Sequence, residues 1–119
     1  MCGISGLVLC RNKIGGVSLA YAMTKMNDAL VSRGPDDQGV WLDGENNIAL
    51  GHRRLAVIDL SEKGKQPMRS ACGRYVIVYN GEIYNFRSIR KELEKEGVSI
   101  DGDSDTAVLL ASLVKGGIK

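Results

Sequence analysis

The sequence has one histidine, one tryptophan, one phenylalanine and only three cysteines, Cys2, Cys10 and Cys72, in 119 residues. An odd number of thiols without C-x-x-C spacing excludes a disulfide framework and fits a reducing compartment. Nor do these thiols and His52 show the paired short ligand spacings of a structural zinc site. A dominant charge is missing as well: 16 Lys and Arg stand against 14 Asp and Glu, and a formal net charge of +2 is too small for a nucleic-acid footprint. The apolar run from Ile4 to Cys10 falls far short of the ~20 residues of a membrane helix, and no basic segment precedes it as in a signal peptide. There is no Walker-type glycine loop to grip a phosphate, so no ATP chemistry is assigned to these residues. There are no internal repeats, low-complexity tracts or linkers. What remains, at 44% apolar and 25% charged residues, is the profile of one cytoplasmic globular domain. It can bury roughly two-thirds of its surface and needs no disulfide or metal staple.

The apolar, β-rich stretch Ile4–Leu9 predicts a buried strand that starts just after Cys2. Ser18 can cap a helix in which Leu19, Met23, Met26 and Leu30 recur every three to four residues, closed by Gly34-Pro35. Val40–Leu42 and Ile48–Leu50 predict a hairpin around Asp43-Gly44, with a further strand at Leu55–Leu60. Glu62–Pro67 is a loop. Tyr75–Tyr79 is the strongest strand pattern and runs into Asn80-Gly81, a hairpin-turn dipeptide. Asn85 can cap a helix reaching Glu96, with Arg90 and Glu94 on its solvated face. A last helix starts at Ser104 or Asp105 and ends at Gly116-Gly117. The order β, α, β, β, β, β, α, α predicts a mixed α+β domain, and a sheet that needs further strands would be left with an open edge.

Cys2 directly follows Met1, and removal of Met1 would give the cysteine a thiol and a free α-amine in one residue. A free thiol has a pKa near ~8.5 and is mostly protonated at pH 7, while an α-amine near ~8 can accept its proton. Nucleophile and base then arrive together without a histidine. Substrate-holding groups are sought in four polar clusters at strand and helix ends. These are Arg33-Gly34-Pro35-Asp36-Asp37-Gln38-Gly39, Gly51-His52-Arg53-Arg54-Leu55-Ala56-Val57-Ile58-Asp59, Val78-Tyr79-Asn80-Gly81-Glu82-Ile83-Tyr84-Asn85 and Gly102-Asp103-Ser104-Asp105-Thr106. Taken singly, Arg54 reads as a surface cation, Asp105 as a helix cap and Asn80-Gly81 as a turn. His52 and Arg53 have structural readings only.

In order and spacing, these clusters, Met1-Cys2-Gly3-Ile4 and Gly64-Lys65-Gln66-Pro67-Met68 resemble the N-terminal glutaminase domain of glutamine-dependent asparagine synthetases. That family belongs to the class II, N-terminal-nucleophile (Ntn) amidotransferases. The resemblance implies an Ntn-hydrolase-like αββα sandwich, truncated at its C-terminal side, with residues 1–119 a partial glutaminase domain and the synthetase domain absent. It implies that Cys2 attacks the side-chain amide of L-glutamine to form a thioester and release ammonia. Asn80 and Gly81 would form the oxyanion hole, where each donor is worth about 2.7 to 4 kcal/mol. Arg54 would bind the α-carboxylate through its planar fork and Asp105 the α-ammonium. Backbone groups of Val57, Ile58 and Glu82 would line the same pocket.

The resemblance implies no metal and no cofactor for these residues, with ATP and magnesium belonging only to a synthetase domain. Expected partners are L-glutamine and a C-terminal synthetase domain or subunit, not nucleic acid or membrane; the oligomeric state, dimer included, stays open. Two alternatives remain: a glutaminase serving a different acceptor, and a non-catalytic truncated chain that associates through its open sheet edge. Ser32 stands where many relatives carry histidine before Arg-Gly-Pro-Asp, a flanking change expected to leave the chemistry intact.

Overall fold

A computed structural model of the chain describes residues 1–10, 18–56 and 61–117. They form strands β1 (Gly3–Val8), β2 (Asp37–Asp43), β3 (Ile48–Arg54), β4 (Met68–Arg69) and β5 (Val76–Ile77). The helices are α1 (Leu19–Asp28), α2 (Phe86–Lys95) and α3 (Asp105–Gly116), with a single 3-10 turn at Glu62–Gly64. The domain is therefore mixed α and β. One antiparallel sheet has the order β1-β3-β2, and β4 and β5 form a second, two-stranded one.

Asp43 folds the β2–β3 hairpin: its carboxylate accepts from the Asn46 backbone at 3.1 Å and side chain at 2.7 Å. These bonds, the side-chain one foremost, hold the Asp43 carboxyl below its ordinary pKa. Asn47 completes the turn at a φ of 54°, a left-handed conformation that asparagine tolerates better than most residues.

Register sorts the sheet into two faces, because residues directly opposite one another share a side. Ser5, Gly51 and Val40 align on one face; Ile4, His52 and Gly39 align on the other. Helix α1 covers the first. Ser18 caps it by accepting from the Tyr21 N–H at 3.1 Å, and Met23 points inward with no exposed surface. Asn27, equally buried, fastens the helix to all three strands. Its Oδ1 accepts from the Ser5 hydroxyl at 2.9 Å, its Nδ2 donates to Gly39 O at 3.0 Å, and its carbonyl accepts from Arg53 Nε at 3.1 Å. So close an approach requires glycine at position 51, where a Cβ would strike Asn27 Oδ1, Ser5 Oγ and Met23 Cε.

The opposite face meets the second half of the chain. The Gln66 carbonyl lies so tightly over Gly39 that a side chain there would collide with it. Helices α2 and α3 pack on each other, with Leu93, Ala107, Val108 and Leu110 buried. Arg90 is half-buried rather than merely solvated, and ties the loop between these helices. It donates to Gly102 O at 2.6 Å and Ile100 O at 3.1 Å while pairing with Glu94 at 2.8 Å.

Several local expectations are corrected. Helix α1 ends at Asp28, not at Gly34, because the Leu30 and Arg33 amides turn back on carbonyls three residues earlier. Strand β3 continues through Arg54. Leu55 and Ala56 follow it outside any strand, and the rest of the anticipated Leu55–Leu60 strand lies outside the described residues. The ladder expected over Tyr75–Tyr79 is confined to Val76–Ile77, since the Tyr79 N–H is taken by a side chain, Gln66 Oε1, at 2.6 Å. Asn80-Gly81 consequently joins no hairpin and leads instead toward α2. Asn85 occupies the N-cap position of α2 but makes no side-chain cap bond.

Candidate active site

Cys2 sits one residue before β1, and Arg54 closes β3, so the β1–β3 register brings the two chain positions side by side. The thiol meets the next residue of that strand end. The Leu55 N–H donates to Cys2 Sγ at 3.3 Å, and the sulfur lies 3.6 Å from Leu55 O. While Met1 is attached, the Cys2 nitrogen is an amide and has no basic lone pair.

An open cavity of about 500 Å³ lies beside the thiol, lined by Cys2, Arg54, Asn80, Gly81, Glu82 and Asp105 among others. These residues come from the chain start, a strand end, a loop and a helix start. Arg54 is only 8% exposed and is steadied by donation from Nη1 to Ser61 O at 2.9 Å. Asp105 is the first residue of α3 and is buried. Its Oδ1 accepts from the Thr106 N–H at 2.8 Å and its Oδ2 from the Ile83 N–H at 3.0 Å, which fixes the carboxylate plane. Ser104, not Asp105, is the helix cap, accepting from the Ala107 N–H at 3.1 Å. Val57 and Ile58 lie outside the described residues.

His52 and Gln66 are among the lining residues that carry no functional reading in sequence. His52 is two positions before Arg54 on the same strand and therefore on the same face. It is 1% exposed, lines the cavity, and its Nε2 has no hydrogen-bond partner among the described residues. Burial pushes its pKa below 6.5, with the Arg54 charge adding to this; a hydrogen bond to the Tyr79 backbone and the Asp37 charge oppose it. The neutral ring is thereby favoured. Alternation along β3 was the available signal. Gln66 also lines the cavity, and its Gly-Lys-Gln-Pro-Met setting assigns it no role in sequence.

A thiol, a guanidinium and a buried carboxylate thus line one cavity. The chain belongs to the glutamine amidotransferase domain family, which matches it over residues 1–119. Among curated relatives, it is 45% identical over 119 residues to asparagine synthetase [glutamine-hydrolyzing] 3 of Bacillus subtilis strain 168, covering 97% of this chain and 18% of that protein. It is 38% identical over 126 residues to the putative asparagine synthetase [glutamine-hydrolyzing] 2 of Methanocaldococcus jannaschii, covering 92% of this chain and 23% of that one. It is also 31% identical over 118 residues to amidase chry2 of Gibberella zeae, covering 93% and 17% respectively. The chain thus spans about a fifth of the length of these relatives. Among the described residues, no helix is long and apolar enough to cross a membrane.

Proposed function

We propose that this domain hydrolyses L-glutamine to glutamate and ammonia, with Cys2 as nucleophile once Met1 is removed. The single observation carrying this reading is the convergence of Cys2, Arg54, Asn80, Gly81 and Asp105 on one cavity from separate parts of the chain. Arg54 pairs with the substrate α-carboxylate, Asp105 with its α-ammonium, and together they favour an amino acid over a simple amide. The freed α-amine takes the thiol proton, and sulfur attacks the side-chain carbonyl carbon. The negative oxygen is held by the Asn80 side-chain NH2 and the Gly81 N–H, donors of the kind worth about 2.7 to 4 kcal/mol each. Collapse breaks the C–N bond, and the leaving nitrogen takes the proton from the α-ammonium of Cys2 and departs as ammonia. Water then attacks the thioester, its proton returns to sulfur, and glutamate leaves. Glu82 adds to the lining of the same pocket.

No cofactor enters these steps. We assign ATP and magnesium to the synthetase portion of full-length proteins, where the ammonia would serve asparagine synthesis in the cytoplasm. The surrounding architecture in this reading is the αββα Ntn sandwich, of which the two sheets and the helix on the β1-β3-β2 sheet are parts. The similarity to an amidase keeps a different acceptor as the second reading. The test is glutamate release by the full-length protein beside its Cys2→Ala variant. The unmodified protein should turn over and the variant fall to background; equal rates would remove Cys2 from the mechanism.

A further inference from the structure

Gln66, in the loop before β4, lines the cavity, and its carboxamide bonds in two directions. Oε1 accepts from the Tyr79 N–H at 2.6 Å, and Nε2 donates to Thr106 Oγ1 at 3.3 Å. Tyr79 immediately precedes Asn80-Gly81, the proposed oxyanion donors. Thr106 immediately follows Asp105, the proposed ammonium partner, and the Thr106 hydroxyl lies 3.5 Å from Asp105 Oδ1. Donation from Gln66 leaves the hydroxyl proton of Thr106 free to point at that carboxylate. The Gln66 backbone is itself fixed, because its carbonyl presses on Gly39 of β2. One planar group, anchored on the sheet, therefore spans the segments that would grip the two ends of a substrate. A carboxamide offers an acceptor and a donor on separate corners in this way.

We infer that Gln66 is a positioning residue that sets the separation between the oxyanion donors and Asp105, and thereby selects glutamine over its one-carbon-shorter homologue asparagine. The inference rests on the glutaminase reading above and deepens it. Gln66 touches neither reacting atom in the mechanism; it acts through Tyr79 and Thr106. Without it, Tyr79 loses its link to Thr106 and Asn80-Gly81 stays tied to α3 only from its other side, through the Ile83–Asp105 bond; reacting groups displaced by a fraction of an ångström lose rate steeply.

The experiment measures kcat and KM for glutamine and asparagine with the full-length protein, its Cys2→Ala variant, Gln66→Met and Thr106→Val. Methionine keeps the length of the side chain but removes both bonds; valine keeps the shape of threonine but removes the hydroxyl. Gln66→Met should lower kcat for glutamine about tenfold, raise KM, and narrow the preference over asparagine by about the same factor. Thr106→Val, which leaves the Tyr79 bond in place, should raise KM with kcat within about twofold. Thermal melting checks folding, and if Gln66→Met does not fold, Thr106→Val alone decides through its split between KM and kcat. Unchanged kinetics in the folded variants, or a lower kcat with the glutamine-to-asparagine preference intact, would overturn the inference while leaving the glutaminase reading standing. Failure of the unmodified protein to hydrolyse glutamine, or full activity in Cys2→Ala, would instead bring down the glutaminase reading and this inference with it.

Discussion

The two faces of the β1-β3-β2 sheet are built from the same strands yet solve different problems. Under α1, small residues let the helix settle onto the backbone, and Met23, Asn27, Ala49 and Gly51 are buried, exposed apolar side chains of the strands on this face being confined to the β2 edge at Val40 and Leu42. On the other face, His52 and Arg54 are buried at the Cys2 end, while Ile4, directly opposite His52, is 48% exposed and Val8, at the far end of β1, 70%. The closed face contributes stability through apolar burial and the Asn27 bonds. The other leaves an open cavity lined by buried polar groups, where the proposed chemistry would take place. Each β3 residue is committed to one task or the other by its place in the alternation.

Breaking the closed face should have the largest effect on folding. Met23→Ala removes a side chain with no exposed surface and should lower stability by about 3 kcal/mol, read from urea unfolding. A smaller effect should come from the site face, through pH. The unfolded chain protonates His52 near its ordinary value of 6.5, whereas the folded chain resists until a lower pH. The contribution of neutral, buried His52 is therefore complete above about 6.5 and is lost as pH falls through the folded-state value. Melting curves across that window should slope less in His52→Gln than in the unmodified protein; identical slopes would show that burial does not hold the ring neutral. The smallest effect belongs to the exposed part of the same face, where Val8→Ser should change stability by no more than about 0.5 kcal/mol in the same urea assay.

The local chemistry of these elements was readable from residue order. Ser18 and Ser104 cap helices through their hydroxyls, and Asp43 with its asparagines builds a hairpin, because each signal acts within three residues of itself. Asn80-Gly81 misled for the same reason. Its turn chemistry is genuine, but a hairpin needs a returning strand, and the Tyr79 amide is instead captured by Gln66, 13 residues earlier. The Met stripe announced the inner side of α1, while Asn27, the polar anchor of that helix, gave no sign because its partners Ser5, Gly39 and Arg53 are distant in sequence.

The amino-acid order by itself determined which residues can do chemistry: a cysteine that can become the first residue, a planar cation, an amide beside a glycine and a carboxylate at a helix start. Those capacities are properties of side chains and their immediate neighbours. Only the tertiary structure decided that they share one cavity, that His52 is enclosed with them, and that Gln66 bridges Tyr79 to Thr106. Such arrangements depend on strand register and on contacts across tens of residues, which the packing of sheet and helices sets and no local pattern records.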